Sequence, residues 1–141
     1  MSAPCLLDLG VLVAIFWPRH TAHDAARKWF ASHRKHGWAT CALTESGFVR
    51  VVSNAAVSHG RVRPEDAVRL PEENCKDGHH EFWPLDLPLA DALRRAGVQL
   101  DGHYQVPGAY LLGLAAKHGG RLATFDTRLG RLSRPVLTLR A

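Results

Sequence analysis

The apolar stretch over residues 5–16 is interrupted by one carboxylate, Asp8. The three residues before Asp8 predict a buried strand, and the helical spacing of Val11, Leu12 and Ile15 after it predicts a helix. An acid at the carboxyl end of a central parallel strand projects into the crevice where open α/β sheets bind ligands, and a bound cation offsets the cost of burying it. A helix N-cap explains the same Asp equally well. Asp8 is therefore a candidate for either role.

Size and cysteine content predict one domain in a reducing compartment. The 141 residues suffice for a core without disulfides, so one domain over residues 1–141 is expected. Cys5, Cys41 and Cys75 are an odd number without Cys-x-x-Cys spacing, and the first two lie in apolar runs typical of buried thiols. No basic leader precedes the apolar start and no membrane-length apolar run follows. A cytoplasmic protein without membrane association is expected.

Strands alternate with helices along the chain. Thr21 is expected to cap a helix that runs to about residue 36, and residues 38–40 predict a second strand. Leu43, Phe48 and Val52 recur at helical spacing after that strand, so they are expected to face the core. Residues 135–139 supply a last apolar strand. This alternation predicts an α/β fold with helices flanking a mainly parallel sheet.

Two further acids occupy places that match Asp8. Asp126 directly follows the strand predicted over residues 122–125. Glu45 opens the helix after the second strand, where compensation of the helix dipole is an alternative role. A parallel sheet would bring all three acids toward one edge, and several carboxylates suit Mg²⁺ or Mn²⁺ in metal-dependent phosphoryl chemistry.

Other metal and nucleotide signals are weak. His79 and His80 are adjacent on a predicted strand, so they point to opposite faces and are not expected to chelate one ion together. No Gly-x-Gly-x-x-Gly or P-loop follows the first strand, which disfavours a nucleotide-binding domain. The net charge of +5 permits a phosphate-rich partner without requiring one.

Five segments of the chain, in order, match the sequence pattern of a known family. They are Leu-Leu-Asp at 6–8, Trp-Ala-Thr-Cys-Ala-Leu-Thr-Glu-Ser-Gly-Phe-Val-Arg-Val at 38–51, Glu-Phe-Trp-Pro at 81–84, Ala-Tyr-Leu-Leu-Gly-Leu-Ala at 109–115 and Gly-Gly-Arg-Leu-Ala-Thr-Phe-Asp at 119–126. Together they resemble the PIN-domain toxins called VapC. The resemblance spans most of the chain.

The resemblance implies a three-layer α/β/α, Rossmann-like PIN domain and an endoribonuclease that uses Mg²⁺ or Mn²⁺. It implies a structured RNA substrate such as tRNA or ribosomal RNA, a VapB antitoxin that blocks the site, and a homodimer. By position, Asp8, Glu45 and Asp126 match the family's acids. Thr44 is expected to polarise a site water or to cap the helix, and Arg50 to meet phosphate or to remain solvated.

Two positions depart from the family pattern. The family usually has Asp just before the Ala-Tyr-Leu segment, where this chain has Gly108, and often has Asn where this chain has Gly10. Glycine at 108 fits natural decay, tolerated variation or an engineered substitution alike. Two functions therefore remain open: an endoribonuclease, with activity weakened or intact, and a catalytically silent PIN module that binds RNA or its antitoxin.

Overall fold

The computed structural model describes residues 3–132 and 136–139. The strands are β1 (Cys5–Leu7), β2 (Trp38–Thr40), β3 (His80–Phe82), β4 (Arg121–Thr124) and β5 (Val136–Thr138). They form one sheet in the order β3-β2-β1-β4-β5, and every neighbouring pair is parallel. The prediction of an α/β fold with a parallel sheet is confirmed. Pro135, the first residue of the predicted last strand, lies outside the described residues.

Helices cover both faces of this sheet. They are α1 (Leu9–Phe16), α2 (His23–His33), α3 (Ala42–Val52), α4 (Ala55–Ser58), α5 (Pro64–Ala67), α6 (Arg69–Asn74), α7 (Leu89–Ala96), α8 (Val106–Lys117) and α9 (Thr127–Leu132). Short 3-10 turns span Arg34–His36 and His103–Gln105. Thr21 was wrongly predicted as a cap, because the N-cap of α2 is Ala22 and makes no side-chain hydrogen bond.

Two hydrophobic cores result from the alternation of side chains along the strands. The first, here the α1 core, contains Cys5, Leu7, Val11, Leu12, Val13, Ala14, Ile15, Ala22, Ala26, Trp38, Phe48, Val52, Ala67, Ala123 and Leu139. The second, here the α8 core, contains Leu6, Ala39, Cys41, Trp83, Leu87, Ala92, Ala96, Leu111, Leu112, Leu114, Ala115, Leu122 and Leu129. Because successive strand residues belong to opposite cores, the sheet is the middle of three layers, as in a three-layer α/β/α fold.

One residue of α3 faces differently from the prediction. Phe48 and Val52 are buried as expected, but Leu43 is 43% exposed. A Cβ on Gly47 would lie 2.9 Å from Leu9 Cδ2, so α3 and α1 approach closely there. The buried residues of α3 are Thr44, Phe48 and Val52, four residues apart. Leu43 lies beside this stripe, in line with Gly47, and lines the cavity next to Asp8.

The direction of chain progression reverses at β1. The chain moves from β1 to β2 and β3 on one side, then returns to place β4 on the other side of β1. The helix that follows β1 packs in the α1 core, whereas α9, which follows β4, contributes Leu129 to the α8 core. The loops after β1 and β4 therefore diverge, and such a divergence creates the ligand crevice of open α/β sheets.

Among the described residues, no helix is both long enough and apolar enough to cross a lipid bilayer.

Candidate active site

Asp8 stands at this divergence, at the carboxyl end of β1. Its Oδ1 accepts a hydrogen bond from the backbone N–H of Leu9 at 2.8 Å, so it caps α1. Its Oδ2 accepts a hydrogen bond from Thr124 Oγ1 at 2.6 Å. The cap accounts for one oxygen only, and the second oxygen joins Asp8 to the end of β4.

Thr124 also connects to Asp126. The backbone N–H of Asp126 donates to Thr124 Oγ1 at 3.0 Å, while Asp126 Oδ1 accepts from the backbone N–H of Arg128 at 2.9 Å. Asp126 thus opens α9 much as Asp8 opens α1. The structure brings these two predicted acids together around one buried threonine hydroxyl.

The surroundings of Asp8 disfavour the charged form of its carboxylate. Burial is the main cause that raises its pKa, and the negative charge of Asp126 raises it further. The hydrogen bonds from Thr124 and Leu9 oppose that shift without cancelling it. Two half-buried carboxylates that repel each other form a donor set that suits a hard cation, because positive charge relieves both costs.

Glu45 lies in a different hydrogen-bonded group. Its Oε2 accepts from Thr40 Oγ1 at 2.6 Å, and the same hydroxyl lies 2.8 Å from His80 Nε2. Glu45, Cys75 and His80 each place a ligand atom within 4.8 Å of the other two. In the part of the chain that the structure describes, this is the one group of three or more His, Cys, Asp or Glu side chains at such distances.

The pleat of the sheet separates the two groups. Trp38 and Thr40 share one face of β2, and Trp38 packs in the α1 core. Leu122 and Thr124 share one face of β4, and Leu122 packs in the α8 core. The two threonine hydroxyls therefore lie on opposite faces of the sheet. Thr40 holds Glu45 on the α1-core side, and Thr124 holds Asp8 on the α8-core side.

Thr44 and Arg50 are on α3, the helix that also carries Glu45, and both line the cavity beside Asp8. Thr44 is buried, and its hydroxyl accepts from the backbone N–H of Cys41 and donates to the Cys41 carbonyl, both at 3.1 Å. Of the two roles predicted for Thr44, the structure shows the cap. Arg50 is exposed and lines two cavities, one of about 230 Å³ beside Asp8 and one of about 770 Å³ beside Glu45.

Comparison with known proteins decides the family. The PIN domain profile matches residues 5–135. This chain belongs to the PIN-domain family. Among curated proteins of Mycobacterium tuberculosis (strain ATCC 25618 / H37Rv), it is 40% identical to Ribonuclease VapC39 over 124 residues, 88% of this chain and 89% of that protein. It is 35% identical to Ribonuclease VapC44 over 133 residues, 94% and 93% of the two chains, and 42% identical to Ribonuclease VapC38 over 121 residues, 86% and 84%. The chain is a PIN domain of the VapC type.

The two glycines that depart from the VapC pattern both lie near this site. Gly108 is in the first turn of α8, and a Cβ there would lie 2.9 Å from Leu129 Cδ1. Leu129 is in α9, and its backbone N–H lies 3.4 Å from Asp126 Oδ1. Position 108 therefore faces the helix that Asp126 opens. A Cβ on Gly10 would make an ordinary 3.8 Å contact with Phe125.

Sequence reasoning about this PIN domain missed the two threonines and the partners of Glu45. Both threonines carried a signal, because Thr40 and Thr124 lie within the family segments at 38–51 and 119–126. Cys75 carried none. The two adjacent histidines were not expected to chelate one ion together, and of the two only His80 is part of the Glu45 group. Burial is the main cause that lowers the pKa of His80 and raises the pKa of Cys75.

Proposed function

We propose that this VapC-type PIN domain is the toxin of a type II toxin-antitoxin system and an endoribonuclease that hydrolyses RNA phosphodiester bonds. The observation that carries the proposal is the Asp8–Thr124–Asp126 arrangement at the divergence beside β1. The curated relatives are ribonucleases by name, which supports the same reaction. We place Asp8, Glu45 and Asp126 as the acids of the site.

The residues present fit a hard divalent ion. Asp8 and Asp126 would hold Mg²⁺ or Mn²⁺, because both offer carboxylate oxygens and the buried charge of Asp8 gains most from a cation. When bound, such an ion activates a water molecule and stabilises the charge of the phosphoryl transition state. Glu45 completes the acid set only after its carboxylate leaves Thr40.

The remaining residues of the site orient the Asp8 carboxylate or contact the RNA. Thr124 orients the Asp8 carboxylate through its 2.6 Å hydrogen bond, so it is a positioning residue. Arg50 is exposed at the rim of the cavity beside Asp8, where its guanidinium can bind phosphate. Arg128 hydrogen-bonds the hydroxyl of Tyr104 and lies 5.5 Å from the centre of its ring. This exposed pair next to Asp126 offers a base-stacking surface and a phosphate contact.

A VapB-type antitoxin is the proposed protein partner. The cavity of about 770 Å³ beside Glu45 is lined by Val49, Val68 and Phe82, with Glu72 at its wall. An apolar groove with carboxylates suits a peptide segment that carries apolar side chains and an Arg. A homodimer and a structured RNA substrate, tRNA or ribosomal RNA, are proposed from the VapC type.

A catalytically silent PIN module is the second candidate, and Gly108 is the observation that favours it. The helix turn that faces Asp126 carries no carboxylate at position 108. Mg²⁺ releases its water reluctantly and depends on a few well-placed anions, so one missing acid weakens its binding. The silent module and the enzyme share fold and partners, and they differ in divalent binding and turnover.

Cleavage of total cellular RNA in Mg²⁺ or Mn²⁺ tests the proposal. Gly108→Asp is expected to tighten divalent binding and to raise cleavage at least about tenfold, the effect of about 1.4 kcal/mol of added stabilisation. Gly108→Ala is the matched control, because it meets Leu129 with the same Cβ but adds no charge. Asp8→Ala in the Gly108→Asp background is expected to abolish the gain.

Two results would contradict the proposal. Absence of cleavage in both the natural chain and Gly108→Asp supports the silent module instead. Equal metal affinity and cleavage in Gly108→Asp and Gly108→Ala would show that position 108 does not belong to the metal site.

A further inference from the structure

The group formed by Glu45, Cys75 and His80 has the composition of a transition-metal site. It offers one oxygen, one sulfur and one nitrogen, all within 4.8 Å of one another. All three residues are half-buried, so their ligand atoms are neither sealed in a core nor spread over an open surface. None of them contacts the Asp8–Thr124–Asp126 arrangement through a hydrogen bond that the structure records.

The three ligand atoms surround the hydroxyl of Thr40. Thr40 Oγ1 lies 2.6 Å from Glu45 Oε2, 2.8 Å from His80 Nε2 and 3.8 Å from Cys75 Sγ. Around a tetrahedral Zn²⁺ with bonds of about 2.0–2.3 Å, ligand atoms are separated by about 3.3–3.6 Å. The three ligand atoms lie within 4.8 Å of one another, so small side-chain shifts would bring them to these separations. Thr40 Oγ1, which hydrogen-bonds Glu45 and His80, lies among them where the ion would displace or contact it.

Different elements hold the three ligands in place. Glu45 is in the first turns of α3, Cys75 ends α6 as its C-cap, and His80 is the first residue of β3. The His80 ring packs against buried Trp38, with ring centroids 4.5 Å apart. Because packing fixes the imidazole, Nε2 stays directed at the group.

We propose that Glu45, Cys75 and His80 bind one transition-metal ion of the Zn²⁺ class. A thiolate and an imidazole select such ions, whereas Mg²⁺ and Ca²⁺ prefer all-oxygen sites. A carboxylate, a thiolate and a neutral imidazole together carry two negative charges, which a divalent ion balances. With three protein ligands the ion keeps one position for Thr40 or for water.

This site shares Glu45 with the acids proposed for RNA cleavage but includes neither Asp8 nor Asp126, and metal binding here does not depend on that function. An ion bound here holds the Glu45 carboxylate on the α1-core side of the sheet, away from Asp8. The metal-free alternative is a hydrogen-bond relay in which Thr40 alone orients Glu45 and His80.

Titration with Co²⁺ distinguishes the site from the relay. The protein is made without a polyhistidine tag, stripped with chelator and titrated with Co²⁺, whose absorption reports thiolate coordination directly. We expect one equivalent per chain with a sulfur-to-metal charge-transfer band, displacement of Co²⁺ by Zn²⁺ but not by excess Mg²⁺, and a rise in melting temperature on loading.

Matched variants locate the ion. Cys75→Ser is expected to remove the charge-transfer band, and His80→Gln to lower affinity at least about tenfold, or about 1.4 kcal/mol. His79→Gln, on the neighbouring residue, and Asp8→Ala, in the acid pair, are expected to leave the charge-transfer band and the Co²⁺ affinity that it reports unchanged. No charge-transfer band in the unmodified protein, or equal affinity in His80→Gln and His79→Gln, would overturn the proposal. The first of these results needs no variant, so misfolding cannot produce it.

Discussion

The carboxylate of Asp77 accepts hydrogen bonds from three residues, Arg34, Trp38 and His79. Its Oδ1 accepts from Arg34 Nη2 at 2.6 Å and its Oδ2 from Trp38 Nε1 at 2.8 Å. Trp38 is 2% exposed, so its indole N–H has little access to water. Burial alone would raise the pKa of Asp77, but the hydrogen bonds from Trp38, the backbone N–H of His79 and Arg34 hold that pKa below its usual value.

Asp77→Ala is therefore expected to destabilise the fold by about 1–3 kcal/mol at neutral pH, because it leaves a buried indole donor and a guanidinium without their acceptor. A carboxyl with a lowered folded pKa contributes stability above its unfolded pKa and loses it as pH falls through the folded pKa. The difference between variant and parent should thus shrink in acid. Urea unfolding at neutral and acidic pH measures it, and a difference that grows in acid would contradict this account.

At the scale of elements, α7 and α8 pack at a distance that only glycine allows. A Cβ on Gly113 would lie 2.1 Å from the carbonyl oxygen of Ala92. The obstacle is backbone, which cannot turn aside as a side chain does. Since Leu112 and Leu114 on either side are buried, moving α8 outward would also open the α8 core.

Gly113→Ala is expected to lower the free energy of unfolding by about 1–3 kcal/mol, because the added methyl group overpacks the contact between α7 and α8. This loss outweighs the gain in helix propensity, which is about 1 kcal/mol. Gly78→Ala is the control, since nothing lies within 4 Å of a Cβ there. Thermal unfolding compares them, and equal melting temperatures would mean that α7 and α8 separate without cost.

At the scale of the whole molecule, the excess of positive charge bears on the proposed binding of RNA. The chain has 18 Lys and Arg against 13 Asp and Glu. Affinity for RNA is therefore expected to be mainly electrostatic and to fall at least about tenfold between dilute and physiological salt. Arg50→Gln and Arg128→Gln should each lower the slope of log affinity against log salt by about one. Arg94→Gln, whose parent side chain pairs with Asp91, is the control, and binding that is indifferent to salt would contradict the prediction.

The sequence by itself predicted the alternation of strands and helices and the location of two of the candidate acids. Apolar periodicity predicted β1, β2 and the helices after them, because each period reflects which side chains meet the core. Asp8 and Asp126 were placed at strand ends by the same patterns, and both are found there. Gly37 and Gly119 follow helical segments with φ of 97° and 67°, a backbone conformation for which glycine is the usual residue.

Only the tertiary structure decided which side chains meet. Helical spacing predicted Leu43 as core, yet the buried residues of α3 are Thr44, Phe48 and Val52, and Leu43 lines the cavity beside Asp8. Three acids expected at one edge are held in two groups, because strand order places β4 beside β1 and the pleat directs Thr40 and Thr124 to opposite faces. Cys75 and His80 reach Glu45 from separate elements. Local periodicity encodes burial along one element, whereas contacts between elements depend on strand order, register and helix packing, which no local pattern contains.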